Sequence, residues 1–248
     1  MKKYIFISIF CVLSSICIYS ISSASTDVGG IYENDITWTE ENCPYIISSD
    51  IVIEPQATLT IEPGTEIYFS QHKIIVRGSI IAQGTPLKKI VFTSSDMNKS
   101  FDSTILKFEA ADLYGSKLSH IEMNNAGNAI YEAYNTGTLY LNNVKIENAA
   151  VVNHSAEIII NSSYLNFAHI DGDCWGSGKI DINDSVIENS ILLAGNLHKG
   201  ITVSKSTAAD TYFDVRNAIT ILESSLDNCD IKTESYVSVE GQNVIIGK

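Results

Sequence analysis

Arginine is nearly missing from this chain: Arg77 and Arg216 are the only two, and 16 Lys+Arg stand against 29 Asp+Glu for a formal net charge of −13. A surface of that sign repels phosphate backbones, so a nucleic-acid partner is excluded. Cysteine is sparse as well. Beyond the first 24 residues only Cys43, Cys174 and Cys229 remain, too few for a disulfide-stapled scaffold and odd in number, so at most one internal bridge can form. The four prolines all lie between Pro44 and Pro86. A hydrophobic fraction of 45% supplies enough apolar surface for a core to hold the fold.

Long apolar runs are also absent, except at the start. There "MKKYIFISIFCVLSSICIYSISSAS" sets Lys2 and Lys3 before an apolar stretch and ends on Ser22-Ser23-Ala24. This is the pattern of a secretory signal peptide over residues 1–24, cleaved after Ala24. A retained anchor needs about 20 uninterrupted apolar residues, and Ser14, Ser15 and Ser20 break this run. No membrane span is expected after cleavage, and the expected location is outside the cell or in the envelope of a bacterium. Residues 25–44 read as a lead-in or cap and 45–248 as one repeating domain.

What the chain does have is alternation. Ile51 and Ile53, Leu59 and Ile61, Ile67 and Phe69, Ile74 and Val76, and Ile90 and Phe92 fall at every second position, which puts each pair on one face of a short strand. Between them come "EPQA", "EPGT", "RGS" and "QGTP", residues that turn a chain. Further on the pattern repeats, as in "LYLNNVKIENA", "IIINSSYLNFA", "KIDINDSVIEN", "ITILESSLDNC" and "VSVEGQNVIIG". Aligned second strands place Ile146, Leu165, Ile187, Ala208, Leu226 and Val244 at spacings of 19, 22, 21, 18 and 18. Repeats of this size stack, because no unit can bury its apolar face alone. Fixed leucines with Asn or Cys would mark a leucine-rich repeat, and strict multiples of six a hexapeptide helix; neither is present. The reading is an all-β, single-stranded right-handed parallel β-helix of roughly nine coils, a rod on the order of 40 Å long.

The turn after the second strand reads Asn148, Phe167, Asn189, Asp210, Asn228 and Ile246. Asn accepts the left-handed backbone of a tight corner, so Asn148, Asn189 and Asn228 are read as an interrupted structural turn ladder. The stretch "STAADTYFDVRNAITILESS" carries some helical periodicity. It is kept as a coil because the repeat continues on both sides.

Residues 45–95 resemble the opening coils of secreted right-handed parallel β-helix proteins of the pectate-lyase-like superfamily. The likeness rests on Tyr45, "ATLTIEPGT" from Ala57 to Thr65, Val76-Arg77-Gly78 with Ile80 and Ala82, Gly84-Thr85, and "IVFTS" from Ile90 to Ser94. The superfamily holds lyases, hydrolases and non-catalytic surface proteins, so fold does not fix activity. The lyase pattern implies acids holding Ca²⁺ and an Arg or Lys base, yet Arg77 reads as a solvated strand residue and Arg216 as a surface partner of Asp214. Of the hydrolase motifs Asn-Thr-Asp, Asp-Asp, Gly-His-Gly and Arg-Ile-Lys, none is found. His72, His120, His154, His169 and His198 show no zinc spacing.

One stretch breaks the repeat: "HIDGDCWGSG", 169–178. Its sharper reading is a sugar-binding loop with Trp175 as a stacking platform and Asp171 and Asp173 as acceptors or Ca²⁺ ligands; the plainer one is a long solvated corner. The leading functional expectation is an exported non-catalytic module, surface-structural or binding, with an extracellular glycan or surface protein as partner and no required cofactor, Ca²⁺ staying open. The alternative is a small polysaccharide lyase or glycoside hydrolase built around Asp171, Asp173 and Arg216. The sequence ends in mid-repeat at "VSVEGQNVIIGK", which leaves three expectations open: an unrecognised short cap, end-to-end self-association, or a chain shortened from a longer ancestor.

Overall fold

In a computed structural model, the described residues are 25–94, 103–111, 113–133, 135, 137–172, 178–194, 200–216, 218–234 and 236–241. Residues 1–24, read from sequence as a signal peptide, and residues 242–248 lie outside them. No helix among the described residues is long and apolar enough to cross a membrane.

The chain is a parallel β-solenoid of about nine turns. Each coil lays down three short strands on three faces. Face one is a sheet of ten strands from Ile36–Trp38 to Tyr236–Glu240, every described pairing parallel. Faces two and three form one bent sheet, joined where Tyr45–Ile53 turns the edge and pairs with both Glu66–Phe69 and Ile74–Val76. Pairing begins ahead of residue 45: Thr26–Tyr32 lies along Tyr45–Ile53, and Ile36–Trp38 along Thr58–Ile61. The only helical element among the described residues is the single 3₁₀ turn Glu40–Asn42.

Stacking in register turns the sequence alternation into columns. On face two Ile67, Phe92, Met123, Ile146, Leu165, Ile187, Ala208 and Leu226 pair rung to rung, and all are buried. Five of the six residues aligned from the repeat are in that column; Val244 lies outside the described residues. The ten alternating residues from Ile51 to Phe92 are likewise buried. Burying such a side chain stabilises by about 1.5–3 kcal/mol, while the parallel ladder satisfies the backbone above and below. The segment with helical periodicity forms the strands Thr207–Ala209, Tyr212–Val215 and Ala218–Leu222.

The corners come in two kinds. In the first coils Gly64 takes a φ of 87°, and a side chain at Gly78 would stand 2.2 Å from the Ala57 carbonyl oxygen. From residue 110 onward non-glycine residues bend left-handed. His120, Asn143, Ser162, Asp184, Lys205 and Glu223 do so between faces one and two, and Asn125, Asn148, Phe167, Asn189, Asp210 and Asn228 between faces two and three. After the first of these corners, buried Ser163, Ser185, Ser206 and Ser224 form a ladder. The N–H groups of Val144, Ser163, Ser185 and Ser206 each donate to the hydroxyl one coil on, at 3.0–3.1 Å. Each hydroxyl donates in turn to the carbonyl two residues before it, at 2.7 Å. The hydroxyls thus supply acceptors for N–H groups that the bend takes off the backbone ladder.

Candidate binding surface

Face two is the narrowest wall of the rod. In its later coils the strands are three residues long, as in Lys145–Glu147, Tyr164–Asn166 and Val186–Glu188, or about 10 Å across. Alternation points the central residue of each inward and the flanking pair outward, so Lys145, Glu147, Tyr164, Asn166, Val186 and Glu188 form an outward-facing, mostly half-buried strip. At its first corner the left-handed residues His120, Asn143 and Ser162 stand beside Lys89, Lys145 and Tyr164 around an open groove of about 480 Å³.

Both lysines of the groove are paired with carboxylates, and Asp184 lines it as well. Lys89 meets Glu122 at 2.7 Å and Lys145 meets Glu147 at 2.8 Å. Asn166 Nδ2 donates to Glu147 at 3.2 Å, and the Tyr164 hydroxyl donates to Glu188 at 2.7 Å. The hydrogen bond to Glu147 raises the Lys145 pKa, and that bond in turn lowers the Glu147 pKa. The Tyr164 hydroxyl is pushed up by its bond to Glu188. Each group is therefore held in the form it already has near neutrality. General acid–base work at neutral pH calls for shifts of the opposite sense, a carboxyl raised or an amine lowered. What this groove offers is one aromatic ring and several hydroxyl-sized donors and acceptors.

At the second corner there is a smaller niche of about 190 Å³, lined by Ala126, Gly127, Ala149 and Ala150 and walled by Asn148, Phe167 and His169. Phe167 is 57% exposed.

Of the residues singled out from sequence as a site, Asp171 and Arg216 are described, and they stand on different rungs. Asp171 ends the strand His169–Asp171 and lies in register between Val152 and Leu193. Arg216 follows Tyr212–Val215, two rungs further along the axis, roughly 10 Å away by rung spacing. Asp214 takes Lys232 as its partner at 3.0 Å, and that bond holds its carboxyl below the usual range, with Arg216 contributing only a smaller charge effect. Asp173, Cys174 and Trp175 lie outside the described residues, as does His198. Arg77, read from sequence as simply solvated, instead bridges Glu54 at 3.4 Å and Glu109 at 3.3 Å. Lys107 first and Arg77 second hold Glu109 low. No group of three or more His, Cys, Asp or Glu side chains among the described residues could hold a metal ion.

Of the turn asparagines, Asn148 reaches Asn125 at 3.5 Å, Asn189 reaches Asn166 at 3.0 Å, and Asn228 reaches Asp210. A more regular ladder sits at the other corner, where Asn161 donates to Asn142, Asn183 to Asn161, and Ser204 to Asn183. The recurring "NSS" and "NDS" at these corners was its available signal. Sequence reading also passed over Glu132. Its carboxylate is fully buried and accepts from the N–H groups of Asn135, His154, Ser155 and Ala156 and from the Ser155 hydroxyl. It pins one coil to the next. Set against models of protein families, curated proteins and solved structures, the chain matches none.

Proposed function

We propose that this chain is an exported, non-catalytic β-helix of the pectate-lyase-like kind, which binds an extended glycan outside the cell or in the envelope. The observation that carries the reading is the open groove of about 480 Å³ at the first corner of face two. That volume falls within the ~300–1,000 Å³ typical of small-ligand sites. It places the Tyr164 ring among Asn143, Ser162 and Lys145, and such amphipathic rings and short polar groups suit a sugar's alternating apolar faces and hydroxyls. The pairing of its lysines with Glu122 and Glu147 supports binding over turnover, since it engages both amines in ion pairs. Export is inferred from the leader, and the superfamily from residues 45–95.

The test is to incubate the purified chain with a polysaccharide panel and record binding and depolymerisation together. Binding without chain shortening, weakened by Tyr164→Ala, is the expected outcome. Depolymerisation of an acidic polysaccharide, or retention of no glycan at all, would overturn the reading.

A further inference from the structure

The second corner of face two departs from its own pattern at one rung. Five of its left-handed positions carry Asn or Asp, which suit that backbone, and one carries Phe167 at a φ of 47°. A bulky aromatic is strained there. Burial offers no compensation, because Phe167 is 57% exposed. The base of the ring is held firmly nonetheless: the Phe167 N–H donates to the Glu188 carbonyl at 3.2 Å, and the next N–H, of Ala168, donates to the Ser190 hydroxyl at 3.1 Å.

Beside this ring the surface falls away. Ala126, Gly127, Ala149 and Ala150 leave a niche of about 190 Å³ with Asn148 and His169 at its sides. That is smaller than the ~300 Å³ at which drug-sized sites begin, so it admits one ring and not a chain. His169 Nε2 is buried and has no hydrogen-bond partner among the described residues; rotation of the imidazole would offer it to a ligand hydroxyl. The neighbouring charge is mostly negative, with Glu147 preceding Asn148, Glu188 over the Phe167 N–H, and Asp171 ending the strand of His169. Among the described residues of the adjoining strand the cation is Lys145, already paired to Glu147. An anionic ligand is disfavoured there.

We infer that this niche is a subsite for one uncharged sugar ring, its apolar face laid on Phe167 and its hydroxyls turned to Asn148 and His169. The inference rests on the glycan reading and adds to it a second place and a class of sugar. The test uses the full chain in NMR titrations with neutral methyl hexopyranosides, alongside neutral hexasaccharides and polygalacturonate. A neutral single-ring glycoside shifts the Phe167, Ala149 and Ala150 signals. Phe167→Asn, which suits the left-handed corner and so keeps the fold, weakens that binding about tenfold, while Tyr164→Ala leaves it unchanged. Unaltered binding in Phe167→Asn, silent Phe167 signals, or a preference of the niche for polygalacturonate would overturn the subsite. If hexasaccharides still bind in a Tyr164-dependent way, the glycan reading survives that loss; if no glycan binds, both fall.

Discussion

The first coils and the later ones bend the same solenoid by different chemistry. Before residue 95 the corners use proline and glycine, as in Glu62-Pro63-Gly64-Thr65, and aromatic rings are set into the aliphatic core. Trp38 stacks on Tyr45 with ring centroids 4.8 Å apart, and Phe69 meets Phe92 at 6.2 Å. From residue 138 the corners are single left-handed residues backed by buried hydroxyls, and the core is aliphatic apart from Phe213. In the first region local residue preference makes the turn. In the second, stacking imposes it and the hydroxyl ladder supplies the acceptors, so even Lys205 and Glu223 are driven left-handed.

The sharpest way to break this comparison is at the joint between the regions. Glu132→Ala strands four N–H donors and should cost about 4 kcal/mol, and in denaturant titration it should part a single transition into two, one for each region. Next comes the core: Phe92→Ala should cost about 4 kcal/mol and Ile182→Ala about 3 kcal/mol, a modest difference that equilibrium unfolding of both variants would resolve. Removing one rung of the ladder is milder. Ser206→Ala deprives the Ser185 N–H of its acceptor and should lose about 1–2 kcal/mol, with no counterpart in the proline-turned coils.

The smallest effects run the other way or depend on pH. Lys205→Asn relieves a left-handed backbone and should gain about 1 kcal/mol, read as a higher midpoint in thermal unfolding. Glu109 is held low by Lys107 and Arg77, so its contribution is fully present above the ordinary carboxylate range and is lost as pH falls through the depressed value. Glu109→Gln should therefore flatten the acid limb of the stability curve, and an unchanged limb would show that the pairing is energetically silent.

The core was legible in the sequence because alternation is local: Ile51, Leu59 and Phe92 reveal their inward side within three residues. Register was legible where the repeat kept its rhythm, as from Ile146 to Leu226. The corners were legible only in part. Asn148, Asn189 and Asn228 suit a left-handed bend by themselves, whereas Phe167, Lys205 and Glu223 adopt it because the rungs on either side leave no other path. Glu132 could not be seen at all, since an acid reads as surface until three of its donors, 22 to 24 residues further along, come into place. At the groove, Lys145 and Tyr164 looked like ordinary outward strand residues. What brings them beside Lys89 and His120 is the pitch of the coil, which no single stretch encodes.

Cys229 follows Asn228 where earlier coils place Ser190 and Thr211, and its Sγ donates to the Asp227 carbonyl at 3.3 Å as those hydroxyls do to theirs. Burial pushes the pKa of this half-buried thiol upward, which lowers its thiolate fraction. Alkylation of this peptide should therefore quicken as the neighbouring rungs open, which makes Cys229 a built-in reporter of fraying in the last coils.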